Sequence, residues 1–326
     1  MPHILIAGKL HPAGLALLDE TAGVTYTHIE EISEASYQAH LDRADGMVIR
    51  TQPMSAASVA LASRLQIVSR HGVGYDAVDV SALNARGIPL CIVGDVNSVS
   101  VAEHAMMQIL ACAKQLIRSD CAVRHGPWGW RNKLEQGEVS GKTLLIIGYG
   151  RIGRNLAAMA AAFGMKISAY DPYLAAKGWP DGQVACASDL AMALAEADFV
   201  SVHIPKADRP MIGAVEIASM KRGAIIVNTA RGGIVDEAAV ADALRSGHIA
   251  AAALDVFDAE PPAADHPLLA FDQVILTPHT AGLTAEAAER MAVSSVQNVL
   301  DFFAGQLDPA LIVNAAALGS VKELVK

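Results

Sequence analysis

Three side chains in the second half of the chain could together move a proton on a small carboxylic acid. Arg231 lies in "AIIVNTARGGIVDE", Glu260 in "AALDVFDAEPP" and His279 in "VILTPHTAGLT". Each follows an apolar run that reads as a strand ending. Arginine offers a planar, permanently charged fork that fits a carboxylate. Histidine titrates near neutrality and can take or return a hydroxyl proton. A carboxylate beside it orients the ring and favours the imidazolium. Singly, each also reads as an ordinary loop residue. Their common placement after strand ends sets them apart, because in a parallel sheet those ends line the ligand crevice.

A second feature supplies what such a proton transfer would accompany. In "KTLLIIGYGRIGRNLAAMAAAFGMKISAYDP", a strand-like run (Leu144-Ile147) enters Gly148-Tyr-Gly150-Arg-Ile-Gly153, and a helical pattern follows at once. Gly148 permits a tight turn, Gly150 lets backbone amides approach a pyrophosphate, and Gly153 lets the helix pack close to the strand. The helix start offers free N–H groups and a positive dipole end to phosphates. An acid, Asp171, ends the next strand-like run, 21 positions beyond Gly150. A carboxylate there accepts hydrogen bonds from a ribose 2′-OH and repels a 2′-phosphate, which points to NAD rather than NADP.

The elements that must position these residues alternate. Strand-like runs fall at 3–7, 46–49, 67–69, 144–147, 166–170, 199–203, 224–228, 251–255 and 274–276, with helical patterns such as 155–163, 189–196 and 237–245 between them. That alternation predicts parallel sheets covered on both faces. One series runs to about Gly94 and a second from Gly141 to Pro278. A stretch from Val99 to Arg124 reads as one long crossing helix. A final helix over 285–303 is expected to return to the first series, and "ALIVN" (310–314) reads as a small strand. The fold class is therefore α/β, with two doubly wound, Rossmann-like parallel-sheet domains. The expected division is residues 1–96 with 286–326 as a discontinuous substrate domain, and 97–285 as the dinucleotide-binding domain.

Composition narrows the partners. Of 326 residues, 52% are apolar and the net charge is −9, without a basic block. Nucleic acid and anionic membrane surfaces are poor partners for such a chain. No apolar run approaches membrane-spanning length, and the start, "MPHILIAGKLHPAG", lacks the layout of a leader. The four cysteines have no C-x-x-C spacing, so neither a disulfide frame nor a metal site is expected. Together these features predict a cytoplasmic protein.

Over nearly its whole length the sequence resembles the D-isomer-specific 2-hydroxyacid dehydrogenases. The matching motifs are "RHGVGYDAVDV" (70–80), "NSVSVAEHAM" (97–106), "IIGYGRIGRNLA" (146–157), "MKRGAIIVNTARGGIVDEAAV" (220–240), "AALDVFDAEPP" (252–262) and "TPHTAGLT" (277–284). The resemblance implies Arg231 as the substrate-binding residue, Glu260 as the histidine's partner and His279 as general acid/base. It implies NAD contacts from Arg151, Ile152, Asp171, Thr229, Ala230 and Asp255, with Asp255 near the carboxamide. His203, Pro205 and Gly282 are further cofactor candidates. It also implies a homodimer held through the cofactor domains.

Within the family, "NSVSVAEH" and "GVGYDAVD" look most like phosphoglycerate dehydrogenases. That likeness puts the Val73-Gly74 backbone on the substrate carboxylate, Asn97 at the site and Arg50 near a second anionic group. Two departures bear on this. After His203-Ile-Pro205 the connection "KADRPMIG" is short and lacks the family's threonine. Only twelve residues follow Asn314, so feedback through a C-terminal regulatory domain is not expected. The substrate is thus a small anionic 2-hydroxy or 2-oxo acid. Hydroxypyruvate or glyoxylate reduction and a sulfolactate-type dehydrogenase stand beside phosphoglycerate oxidation. The contrasting class is an NAD-responsive binding protein of the C-terminal-binding corepressor type.

Overall fold

The structure, a computed structural model, describes residues 1–180, 182 and 184–319. The chain forms two compact units, Met1–Asn97 with Leu283–Lys326, and Ser98–Gly282. In the first, β1 (His3–Ala7), α1 (Pro12–Glu20), β2 (Thr25–Ile29), α2 (Glu34–Gln38), β3 (Gly46–Ile49), α3 (Ala56–Leu61), β4 (Ile67–Arg70), α4 (Val80–Ala85) and β5 (Leu90–Cys91) follow in order. The sheet runs β2-β1-β3-β4-β5, all parallel. The strands β1, β3 and β4 are almost wholly buried, as expected where both faces carry helices.

In the second unit, α5 (Ser98–Ala113) and α6 (Leu116–His125) precede β6 (Thr143–Ile147), α7 (Arg151–Ala162), β7 (Lys166–Tyr170), α8 (Pro172–Lys177) and β8 (Ala185–Cys186). Then come α9 (Leu190–Glu196), β9 (Phe199–Val202), α10 (Ala214–Ser219), β10 (Ile225–Asn228), α11 (Glu237–Arg245), β11 (Ala251–Leu254) and β12 (Val274–Leu276). The order is β12-β11-β10-β9-β6-β7-β8, again all parallel. Strand order reverses between β6 and β9, the switch point where a crevice opens outside the carboxyl ends. One core lies between the sheet and α5 and α7, the other between the sheet and α9 to α11.

The last helix, α12 (Ala285–Ala304), belongs to the first unit and packs on α1, β3 and β4. The side chains of Ala292, Val296 and Val299 join Ile4, Ile6 and Ile67 in that core.

Several sequence expectations need correction. The Val99–Arg124 stretch is two helices, broken at Gln115, which has φ +47°. A returning segment explains the break: Gly137 N–H donates to the Ala113 carbonyl and the Gln136 amide to that of Lys114. With those carbonyls taken, the helix need not continue through Lys114. Strands β2, β5 and β8 are edge or near-edge strands too polar or too short to show as apolar runs. Residues 310–314 are not a strand. Pro309–Leu311 coils as a 3₁₀ turn capped by Asp308, and only Ile312 bridges Cys91.

Two backbone bonds, Ile92 N–H to the Leu311 carbonyl and Val313 N–H to the Leu90 carbonyl, hold this stretch together with Asn314, which is buried. Its Oδ1 accepts the Leu90 N–H at 2.8 Å, and its Nδ2 donates to the Ile88 carbonyl at 3.0 Å and to Asn84 Oδ1. Losing a partner of buried backbone groups costs more than the bond was worth. Asn314→Ala should therefore destabilise the chain by about 2–3 kcal/mol in urea unfolding. A loss below about 0.5 kcal/mol would show that Asn314 is not an anchor.

Candidate functional site

The glycine loop follows β6 and opens α7, whose N-cap is Gly150. Each glycine has its own reason to be there. Gly148 has φ +95°, and a Cβ on it would collide with the His203 carbonyl. A Cβ on Gly153 would collide with the Gly148 carbonyl and lie 3.0 Å from Ile146 Cγ2, so helix and strand are in backbone contact there. Beside Gly150 there is open space for a Cβ, the side on which a phosphate can approach the loop. Arg151 is exposed and Ile152 half-buried in the first turn of α7.

Asp171 ends β7, as the spacing demands, and its carboxylate is already engaged. One oxygen caps α8 through Leu174 N–H at 2.9 Å, and the other accepts Tyr149 N–H of the glycine loop at 3.0 Å. A carboxylate has about four acceptor sites, so two remain for a ribose diol. His203 and Thr229 follow β9 and β10. His203 Nδ1 and Thr229 Oγ1 are buried and make no hydrogen bond among the described residues. The glycine cradle, the acid and these two unmatched polar atoms suit a dinucleotide. Pro205 is exposed and Ala230 buried on the loops after the same strands.

The loop after β10 is shaped by Asn228. Its Oδ1 accepts Ala230 N–H at 3.0 Å and its Nδ2 donates to the Arg231 carbonyl at 2.9 Å. This closes a tight turn over Thr229–Arg231 and leaves the Arg231 side chain half-buried.

The loop after β12 carries His279. Its Nδ1 lies 2.7 Å from Glu260 Oε2, and both side chains are substantially exposed. A carboxylate only accepts, so Nδ1 carries the proton and Nε2 is the nitrogen left to accept one. Glu260 is held in turn by Phe257 N–H, at 3.0 Å from Oε1. His279 itself is left-handed, with φ +53°, unusual for a residue with a side chain.

Asp255 is also engaged by neighbouring donors. It is fully buried. Its Oδ1 accepts Thr277 Oγ1–H at 2.5 Å and Thr280 N–H at 2.9 Å, and its Oδ2 accepts Ala281 N–H at 2.8 Å. A carboxylate has about four acceptor sites, so these three donors leave about one for a carboxamide N–H. Its visible task is to hold the loop that presents His279. Gly282 is half-buried at the end of that loop. Thr277 and Asn228 were missed as individual residues. Their signal was a short polar side chain at the end of an apolar strand.

In the first unit, Arg50 follows β3, and Val73, Gly74 and Asn97 lie on loops after β4 and β5. Val73 is exposed, and the others are half-buried. These four residues lie in the first unit, and Arg231, Glu260 and His279 lie in the second. His71, beside them, was not foreseen: it is buried, with Nε2 unpartnered among the described residues.

Residues 106–281 match the family model described as D-isomer specific 2-hydroxyacid dehydrogenase, NAD binding domain. The D-3-phosphoglycerate dehydrogenase of Mycobacterium leprae is 41% identical over 314 residues, covering 95% of this chain and 58% of that protein. The chain thus spans little more than half of that relative. The hydroxypyruvate reductase of Thermotoga maritima is 38% identical, covering 87% of this chain and 92% of the relative. Among solved structures, a Thermus thermophilus protein superposes with a TM-score of 0.86 at 31% identity, covering 94% of this chain and 98% of its own. The NADPH-dependent glyoxylate/hydroxypyruvate reductase of Sinorhizobium meliloti gives 0.80 at 29%, covering 93% and 95%. The chain belongs to the D-isomer-specific 2-hydroxyacid dehydrogenase family.

Buried His71, and His203 with its buried Nδ1, carry a consequence for acid stability. Burial holds the His203 pKa down at about 3. Burial, then the Arg50 and Arg70 guanidiniums, hold that of His71 at about 4. An unfolded histidine titrates near 6.5, so below that pH the unfolded chain binds more protons than the folded one. The stability from neutral burial is complete above pH 6.5 and is lost as pH falls toward those lower values. Between pH 6.5 and 5 each histidine should cost roughly 2 kcal/mol. The urea midpoint should fall across that window, and His203→Asn should remove the His203 share. A midpoint constant from pH 7 to 5 would contradict this.

Proposed function

We propose that the protein is an NAD-dependent D-2-hydroxyacid dehydrogenase acting on a small anionic substrate, 3-phosphoglycerate and its 2-oxo acid being the preferred pair. The observation that carries the reading is the His279–Glu260 pair at 2.7 Å, set on a loop at the same sheet edge as the glycine cradle. When bound, NAD supplies the hydride acceptor and donor at its nicotinamide ring. Arg231 binds the substrate carboxylate and polarises the C2 oxygen. His279 Nε2 takes the C2 hydroxyl proton in oxidation and returns it in reduction. Glu260 holds the ring through Nδ1 and stabilises the imidazolium that forms. The Val73-Gly74 backbone, Asn97 and Arg50 complete the substrate contacts, with Arg50 facing the second anionic group.

Phosphoglycerate is favoured over glyoxylate, hydroxypyruvate or a sulfonate by the similarity to phosphoglycerate dehydrogenases and by Arg50. A homodimer is supported by the side chains that α6 and the segment after it leave exposed, Leu116, Ile117, Val123, Trp128 and Leu134. Four unpaired cysteines agree with a reducing, cytoplasmic setting.

An NADH-oxidation panel of 3-phosphohydroxypyruvate, hydroxypyruvate, glyoxylate, pyruvate and sulfopyruvate tests the reading. The phosphorylated acid should give the highest kcat/KM. No turnover of any, with NADH binding intact, would favour a corepressor-type binding protein. His279→Ala and Arg231→Ala should each lose about 100-fold or more in turnover while still binding NADH. Near-normal turnover in either would remove its assigned role.

Cofactor choice is a separate test. Asp171 repels a 2′-phosphate, so the wild type should prefer NADH, unlike the Sinorhizobium relative with its NADPH. Asp171→Ser should narrow that preference, read as the ratio of kcat/KM for the two cofactors. A native preference for NADPH would refute the assignment.

A further inference from the structure

Behind Glu260 lies a second carboxylate–imidazole pair that the proton transfer does not use. Glu237, in the first turn of α11, is buried, yet carries a charge-bearing side chain. Its Oε2 lies 2.7 Å from His266 Nε2, and its Oε1 accepts Asp258 N–H at 2.7 Å. His266 Nδ1 accepts Leu268 N–H at 3.3 Å. That backbone donor places the ring proton on Nε2, directed at Glu237. Every atom of this pair that can bond is therefore committed to one local arrangement.

The arrangement lies one residue from the proton-transfer pair. Asp258 N–H goes to Glu237, and the preceding Phe257 N–H goes to Glu260. Glu260 passes its other oxygen to His279. The same Phe257–Asp258 peptide lies against the arginine loop: a Cβ on Gly232 would land on the Phe257 carbonyl and 2.6 Å from Asp258 N. The ring of His266 also meets Phe257 edge-on, with centroids 6.0 Å apart. Two successive peptides thus join here: the Phe257–Asp258 peptide touches the loop of Arg231 and the buried pair, and the preceding Val256–Phe257 peptide donates to Glu260. A buried carboxylate bonded to a neutral imidazole is a poor way to gain stability, since apolar side chains of similar volume often do as well. Fixing the direction of two successive N–H groups is something apolar side chains cannot do.

We propose that Glu237 and His266 are a positioning pair for Glu260, holding the Phe257–Asp258 peptide so that Glu260 aligns the His279 ring. The inference rests on the dehydrogenase reading, in which His279 moves the proton. Misalignment of such a pair by about 1 Å can cost up to about 100-fold in rate without loss of binding.

Glu237→Gln separates the two bonds. The amide oxygen can still accept Asp258 N–H, while the amide nitrogen opposes the His266 Nε2 proton. Expected is a fall of about tenfold or more in kcat, with KM for NADH within about twofold. His266→Ala should behave alike, and His266→Gln, which restores a donor toward Glu237, should recover most of the loss. A pair acting through Glu260 has nothing left to act on in a Glu260→Gln background. There Glu237→Gln should cost less than about twofold more. In NMR spectra of the free enzyme, the His279 ring nitrogens should shift in Glu237→Gln and His266→Ala, and return with His266→Gln.

The proposal is overturned if folded Glu237→Gln and His266→Ala keep kcat within about twofold, or if the losses from Glu237→Gln and Glu260→Gln multiply. Should Glu237→Gln fail to fold, the His266 variants decide alone. An inactive wild type, or an active His279→Ala, defeats the dehydrogenase reading. An inactive His279→Ala beside a normal Glu237→Gln defeats this inference only.

Discussion

The site depends on a carboxylate that never meets solvent. An ionised acid inside a protein is tolerable only when its oxygens are matched by donors. Asp255 is matched by the Thr277 hydroxyl and by the amides of Thr280 and Ala281, all from one short loop. Its backbone joins in: Asp255 N–H donates to the Asn228 carbonyl, and His279 N–H to the Asp255 carbonyl. The loop closes around the buried charge, and His279 is forced into the left-handed region as a result. Strain of this kind persists where the surroundings over-determine the backbone. Here it turns the imidazole outward while its backbone stays anchored.

Around that anchor, the sheet determines where everything else can be. Strands in one direction put all their carboxyl ends on one side, so the loops after β6, β9, β10, β11 and β12 share an edge. The loop after β6 has the features that suit a phosphate, because α7 starts there and a helix start offers free amides. The carboxylate–imidazole pair of Glu260 and His279 belongs to the loops after β11 and β12. Asn228 spends its side chain on the turn that carries Arg231. Strand-end polar residues therefore shape the turns, while the residues beyond them carry the arginine and the imidazole.

Much of this was legible from residue types and spacing. Alternating apolar runs indicated parallel sheets, and Gly148, Gly150, Gly153 and Asp171 stood in their expected context. The Glu260–His279 pairing was foreseen from two loops nineteen positions apart. What stayed hidden had no local signal. The break at Gln115 comes from a segment some twenty residues further on, which takes the carbonyls of Ala113 and Lys114. Strand β2 reads Thr-Tyr-Thr-His-Ile because an edge strand is only partly covered, so it shows no apolar run. Residues 310–314 look like a strand by composition, yet only a single bridge with its two flanking backbone bonds forms, and the Asn314 side chain adds the rest of the anchorage.

The sequence alone determined the fold class, the glycine turn between β6 and α7, and the identity of the arginine, acid and histidine. These rest on near-neighbour physics: periodicity of burial, the missing Cβ of glycine, and the side chain that titrates near neutral pH. Only the tertiary structure decided what Asp255 does, which imidazole nitrogen is left to accept a proton, and that Glu237 and His266 stand behind Glu260. Those are matters of which donor meets which acceptor across loops distant in the chain. Hydrogen bonds are short and directional, so their pairing follows from the packed arrangement of strands and not from any local run of residues.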